Sequence, residues 1–180
     1  MKAIKALLAI AILAAAVVAV HRFCWQRYAC DVVSKSVDRR LYRAFRDHSV
    51  NEAMGVAMMR RLEPCLAQQP FNYQLLVTYG NAASAAGRKD RALEMYRAAL
   101  ALNERPEILA NIAELQFEMG RPGEARQNLL RAMTFNLAFS RRAAEPMRSE
   151  LIEAVKARRA ALLRAKNRAD DQPQVPGERP

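Results

Sequence analysis

The side chains best suited to catalysis or metal binding in this sequence are two histidines and three cysteines. His21 and Cys24 are three residues apart and would share one face of a helix, but two ligands do not make a zinc site. Cys30 would point away from them, and His48 would lie just before a helix start. The sequence contains no HExxH or CxxC motif and no phosphate-binding glycine loop. It therefore predicts no catalytic residues, no metal and no cofactor, and the protein is not expected to be an enzyme.

Two of the cysteines suggest a structural role. If the predicted helices 28–47 and 52–69 pair antiparallel, Cys30 and Cys65 could meet near the same end of the pair. A disulfide between them would indicate an oxidising compartment. The alternative is a pair of free buried cysteines, which are common in protein cores. Cys24 would remain unpaired in either case.

The sequence contains an internal repeat of 33 residues, in which residues 73–105 align with residues 106–138. The helices of this repeat would position any binding site. The alignment pairs apolar, small and turn positions, including Leu76 with Leu109, Gly80 with Ala113, Gly87 with Gly120, Ala92 with Ala125, and Asn103 with Asn136. Self-similarity at a fixed period indicates a helical repeat array. Each copy predicts two antiparallel helices, the first ending at its glycine turn and the second beginning near Ala92 or Ala125. Gly80 and Ala113 lie in mid-helix, which predicts a close helix–helix approach.

The run GNAASAAGRKDRALEMYRAALALN, residues 80–103, resembles the tetratricopeptide repeat (TPR) family. The second copy departs from that pattern at Leu129, which replaces the aromatic residue of the second helix. The resemblance implies an all-α, TPR-like helical solenoid of about two and a half helix-turn-helix repeats. It also implies a protein–protein interaction module or scaffold, whereas an unrelated helical bundle would carry no such expectation.

In TPR arrays the first helix of each repeat lines the concave face. By that resemblance, the expected partner groove consists of Gln74, Val77, Thr78, Asn81, Ser84, Glu107, Ala110, Asn111, Glu114 and Phe117. Asn81 and Asn111 match positions where peptide-binding members clamp an extended backbone or a terminal carboxylate. Val77 stands where a carboxylate clamp would place lysine, so an extended segment is the expected ligand. Arg141 and Arg142 are expected to begin the following helix and to add positive charge at one end.

Residues 1–27 predict a transmembrane anchor or a signal segment. Two lysines precede fifteen uninterrupted apolar residues, 6–20, which as a helix span ~22 Å against a hydrocarbon core of ~30 Å. Snorkelling by Lys5 and Arg22, with Phe23, Trp25 and Tyr28 at headgroup level, would close that gap. The alternatives are a signal cleaved after small residues such as Ala14 and Ala16, and a buried helix. Basic residues after Arg22 favour a cytoplasmic domain, whereas the short basic leader favours export, and our prediction is the periplasmic face of a bacterial inner membrane.

The segments flanking the repeats are also predicted to be helical. Residues 28–72 would form a basic helix and a degenerate first repeat, with a capping box from Ser49 to Glu52 and a kink at Pro64. Residues 139–166 would form a C-terminal capping helix begun by Ser140. Its apolar face would consist of Met147, Leu151, Val155 and Leu162. Residues 167–180 are predicted to be a disordered tail.

The net charge of +11 lies in the flanks of the repeats. Residues 62–140 hold eight basic and eight acidic residues, whereas residues 141–168 hold nine basic and three acidic. Two further functions follow: an accessory subunit of a membrane complex that binds through its anchor and basic flanks, or a surface for anionic lipid. The arginines are not interleaved with aromatic residues or glycines, which argues against nucleic acid as a partner.

Overall fold

A computed structural model describes residues 2–145 and 147–170 of the chain, with side chains described for residues 10–145 and 147–166. Within these ranges the protein is helical, as the sequence predicts. The helices are α1 (Lys2–Arg46), α2 (Glu52–Gln68), α3 (Tyr73–Ala85), α4 (Lys89–Leu102), α5 (Pro106–Glu118), α6 (Pro122–Phe135), a 3₁₀ helix (Leu137–Arg142) and α7 (Met147–Asp170). The chain divides into two compact units, Met1–Asn103 and Glu104–Pro180.

The two sequence repeats form two helix pairs, α3 with α4 in the first unit and α5 with α6 in the second. Gly87 and Gly120 end the first helix of each pair with positive φ angles of 68° and 73°, conformations that carry no steric cost in glycine. The amides after them, of Arg88 and Arg121, donate to the carbonyls of Ala83 and Gln116 at 2.9 and 2.8 Å. These hydrogen bonds close a Schellman motif in each turn.

The second helix of each pair begins three residues earlier than predicted, at Lys89 and at Pro122. The Schellman motif turns the chain within one residue of each glycine, so little loop is needed before the next helix. Proline suits the first helical turn because its missing N–H has no intrahelical partner there.

Gly80 explains why a small residue is required in the middle of α3. A Cβ atom at this position would lie 2.6 Å from Cε1 of Tyr96 on α4. The absence of a side chain therefore lets the buried tyrosine ring lie directly on the α3 backbone. This contact confirms the packing reason predicted from the sequence.

We expect Ala125→Leu to destabilise the second unit by ~1–3 kcal/mol, because extra methyl groups at a closely packed position force backbone shifts. Ala125 is fully buried and belongs to the core of that unit with Ala113, Leu129, Leu151 and Val155. Chemical denaturation followed by circular dichroism would measure the loss. Arg121→Ala, in the exposed turn, is the matched control. An unchanged denaturation midpoint for Ala125→Leu, together with a large loss of stability for the control, would show that Ala125 has been assigned to the wrong position in the repeat.

Helix α1 continues from the apolar segment into the first unit without a break, and its second half packs against α2 and α3. Val37, Leu41 and Ala44 are buried there. Helix α2 is likewise uninterrupted from Glu52 to Gln68 and includes Pro64. Met58, Leu62 and Cys65 of α2 are buried.

The predicted capping box at Ser49 is wrong. Asn51 is the N-cap of α2, and its side-chain oxygen accepts a hydrogen bond from the Met54 amide at 2.9 Å. Ser49 instead completes the end of α1, where its amide donates to the Ala44 carbonyl at 2.9 Å. His48 adopts a φ of 53° at this turn, so the chain has not yet reached the next helix when it passes Ser49.

Three predictions for the C-terminal region also need correction. Ser140 caps no helix, because it is buried inside the 3₁₀ helix, which is capped by Asn136 through the Ala138 amide. Leu162 is 63% exposed, since the unit's buried core ends at Val155 and residues 156–166 are all exposed. Helix α7 extends to Asp170, so residues 167–170 are helical, and the rest of the predicted tail, 171–180, lies outside the described residues.

Candidate partner-binding surface

The accessible strip of α3 consists of Gln74, which is exposed, and Val77, Asn81 and Ser84, which are partly exposed. Thr78 was expected among them, but it is fully buried. Its hydroxyl donates to the Gln74 carbonyl at 2.9 Å and accepts from the Ser34 hydroxyl of α1 at 3.4 Å. The cause of the error is tertiary, because α1 packs on this side of α3 and covers the threonine.

Helix α1 also carries a partly buried acidic residue after Ser34. Asp38 lies one helical turn after Ser34 and is half-buried. Burial disfavours the charged carboxylate and raises the pKa of Asp38.

Asn81 is held in a defined orientation by the helix behind it. Its side-chain oxygen accepts a hydrogen bond from the Tyr96 hydroxyl at 2.5 Å, and the Tyr96 ring lies against Gly80. With the oxygen engaged, the amide NH2 is the group that Asn81 can offer to a carbonyl of another chain. The sequence predicted Asn81 but missed Tyr96, although Tyr96 was visible as the aromatic residue of the repeat's second helix.

The accessible strip of α5 is narrower than predicted. Glu107, Asn111 and Glu114 form it, at spacings of four and three residues, and Asn111 is partly buried. Ala110 was expected on this strip but is fully buried, as are the two residues before it. Phe117 is partly buried and packs on the core of the second unit, so its ring serves mainly to stabilise that unit.

Arg142 converges on the same strip from the 3₁₀ helix. Its Nη1 donates to the side-chain oxygen of Asn111 at 3.1 Å and forms an ion pair with Glu114. Arg141 and Arg142 were expected to begin a helix, but they are the last two residues of the 3₁₀ helix. Because Glu114 neutralises the charge of Arg142, this arginine acts chiefly to orient Asn111. The positive charge at this end of the strip comes from the exposed Arg141.

Asn81 and Asn111 thus share one arrangement, each within its own unit. In both, a donor from the same unit engages the amide oxygen, and the NH2 group is left as the donor to a partner. Each preoriented amide donor suits a backbone carbonyl of an extended segment, although the two asparagines are not equivalent in the repeat, where Asn81 aligns with Glu114 and Asn111 with Thr78.

Cys30 and Cys65 form a disulfide bond, with their Cα atoms 5.3 Å apart. The bond links α1 to α2, so the antiparallel pairing that brings the two cysteines together is the observed one. Cys24 is an exposed free thiol. Among the described residues, no group of three or more His, Cys, Asp or Glu side chains could hold a metal ion.

Helix α1 is the one helix of the described residues that is long and apolar enough to cross a membrane. Every residue from 10 to 29 is exposed, including Ile12, Val18, Phe23 and Trp25. Residues 10–29 therefore do not form the buried helix considered as an alternative.

Residues 73–106 match the family model of the tetratricopeptide repeat. No curated protein matches the chain. Among solved structures, the chain is similar to the type III secretion translocator chaperone SycD of Yersinia enterocolitica, with 16% identity, a TM-score of 0.45, and coverage of 74% of this chain and 85% of that one. It is also similar to the Sgt2 TPR domain from Aspergillus fumigatus, with 14% identity, a TM-score of 0.45, and coverage of 82% and 89%.

Proposed function

We propose that this chain, which carries a tetratricopeptide repeat at residues 73–106, is a membrane-anchored module that holds an extended segment of a protein partner. The observation that carries the proposal is the pair of oriented asparagines, Asn81 on α3 and Asn111 on α5. Each offers an amide NH2 beside side chains that remain accessible. The partner is a subunit of a membrane-associated complex, since the same chain carries the apolar helix.

The anchor is supported by the exposure of the apolar part of α1. Burying a Val, Leu or Ile side chain is worth ~1.5–3 kcal/mol relative to leaving it in water. Ile10, Ile12, Leu13, Val17 and Val18 are each more than half exposed. A bilayer would bury all of them, so membrane insertion is strongly favoured over an aqueous location.

The disulfide supports a location outside the cytoplasm, because thiols in the cytoplasm are kept reduced. The proposed location is the outer face of a bacterial inner membrane, with the amino terminus inside. The basic residues that follow the apolar segment, beginning with Arg22 and Arg27, argue for the opposite orientation. We give the disulfide more weight than these basic residues, because it joins two helices of the folded first unit and the cytoplasm would keep its thiols reduced.

We expect Asn81→Ala combined with Asn111→Ala to weaken partner capture. Each hydrogen bond is worth ~1 kcal/mol, so losing two should reduce affinity ~30-fold. Crosslinking in intact membranes, with mass spectrometry of the captured proteins, would identify the partner and measure the loss. The matched control is Gln127→Ala, which removes an exposed amide from α6, the second helix of its pair.

The basic half of α7 favours a second function, binding through the flanks. Residues 156–166 are all exposed and include Arg158, Arg159 and Arg164, an arrangement suited to an acidic partner or anionic lipid. If capture survives the double asparagine change but is lost when these three arginines become glutamate, this function replaces the first.

Reporter fusions after residue 168 test the orientation. Alkaline phosphatase fused there should be active, because it needs the oxidising periplasm to form its disulfides, and a fluorescent protein that fails to mature after export should be dark. The opposite pattern would place the repeats in the cytoplasm. In that case the charges after Arg22 decide the topology.

A further inference from the structure

A cavity of about 370 Å³ opens beside α1 just beyond its apolar segment. Phe23 and Arg27 of α1 line one side, and Gln69 and Phe71, from the segment between α2 and α3, line the other. The Phe71 side chain is 82% exposed and Phe23 is also largely exposed. Two aromatic rings, a guanidinium and amide groups therefore share one open cavity.

The continuous geometry of α1 sets the height of this cavity above the hydrocarbon. Phe23 and Arg27 follow Val20, the last residue of the apolar run, by three and seven residues, which places them ~5 and ~10 Å beyond it at 1.5 Å per residue. The headgroup layer is ~5–8 Å thick on each side of the bilayer. When the apolar run spans the membrane, Phe23 is thus at headgroup level, and Arg27 lies just outside this layer, where its long side chain can reach back into it.

The disulfide holds the second wall at the same height. Cys65 is bonded to Cys30, ten residues after Val20, and α2 runs antiparallel to α1. From Cys65 the chain therefore continues back towards the membrane, and Gln69 and Phe71 follow within six residues. Phe71 reaches the level of Phe23, as their shared cavity requires.

Two polar groups of the cavity, on Arg27 and Gln69, are available as hydrogen-bond donors. The Arg27 guanidinium carries a permanent positive charge. Gln69 Nε2 is buried and has no hydrogen-bond partner among the described residues, while its Oε1 accepts from Asn72 Nδ2 at 2.8 Å. A phosphate offers acceptor oxygens to both donors. Exposed aromatic rings are in turn suited to the membrane interface.

We propose that this cavity binds the phosphate headgroup of a membrane phospholipid and that Phe71 enters the interface as a second contact with the bilayer. The proposal rests on the membrane anchoring proposed above. Its consequence is that the first unit is fixed against the membrane surface at two points, α1 and the segment that carries Phe71.

Depth-dependent fluorescence quenching separates this proposal from the anchoring. Trp25 is the chain's single tryptophan, so its fluorescence in the full-length protein reports the position of the anchor. The protein is placed in vesicles of phosphatidylcholine and phosphatidylglycerol whose lipids carry a spin label either at the headgroup or deep in the acyl chain. The Trp25→Phe, Phe71→Trp double variant reports the second contact. Both tryptophan reporters should be quenched most by the headgroup label. Quenching in the wild type but none in the double variant would overturn the proposal and leave the anchor intact, and no quenching in either would overturn both.

Lipid retention tests the phosphate contact. Native mass spectrometry of the full-length protein, extracted in detergent from the same vesicles, would count phospholipid molecules that remain bound. Arg27→Gln should reduce retention at least ~tenfold, the loss expected for a charge-assisted hydrogen bond. Arg40→Gln, at an exposed position on α1 that does not line the cavity, should retain lipid as the wild type does. Equal retention in both variants would show that Arg27 holds no phosphate.

Discussion

Gly55→Ala is expected to lower the free energy of unfolding by ~3 kcal/mol or more, at or above the upper end of the usual cost of overpacking. A Cβ atom at Gly55 would lie 2.3 Å from the backbone nitrogen of Ala86 and 2.6 Å from the backbone carbon of Ala85. Backbone atoms cannot rotate away as a side chain can. Helix α2 would therefore have to move away from the end of α3, and the packing of the first unit would open.

Two other glycines provide matched controls for this measurement. At Gly80 the three atoms nearest to the added Cβ all belong to the Tyr96 ring, and a side chain can shift more easily than backbone, so the loss should be smaller. At Gly123 nothing lies within 4 Å, and alanine should be neutral or stabilising by up to ~1 kcal/mol because it restricts the unfolded chain. Denaturant midpoints for the three variants should rank in that order. A wild-type midpoint for Gly55→Ala would show that α2 and α3 are not in contact there.

Removing the disulfide with Cys30→Ala and Cys65→Ala should cost ~2–4 kcal/mol. The two cysteines are 35 residues apart, and opening a loop of this length restores conformational freedom to the unfolded chain. The melting temperature of the full-length protein in detergent, with and without reductant, measures the effect. Reductant should lower the melting temperature of the wild type and leave that of the double variant unchanged.

Cys24→Ala is the control for this pair, because Cys24 is exposed and unbonded. It should melt as the wild type does and keep the sensitivity to reductant. A wild-type protein that melts at the same temperature in both conditions would mean that the two cysteines are not bonded in the isolated protein. The argument for an oxidising compartment would then lose its support.

The sequence by itself determined the helix pairs. Gly87 and Gly120 act within their own turns, where a positive φ and two local hydrogen bonds end a helix. The spacing of small residues likewise identified Gly80 as a close approach, since interhelical packing within one pair repeats with the sequence. The continuity of α1 agrees with the sequence, in which no glycine or proline interrupts residues 2–46.

Only the tertiary structure decided which side chains remain accessible. The helical spacing of α3 predicts that Thr78 lies on its exposed face, yet α1 covers this residue through Ser34. Asn81 and Asn111 were identified from the family resemblance, but the groups that orient them, Tyr96 and Arg142, lie 15 and 31 residues away. Leu162 continues the apolar spacing of α7 but passes beyond the last buried residue of the unit. Periodicity fixes the face of a helix on which a residue lies, whereas its burial depends on distant segments that pack there, and no local pattern encodes their positions.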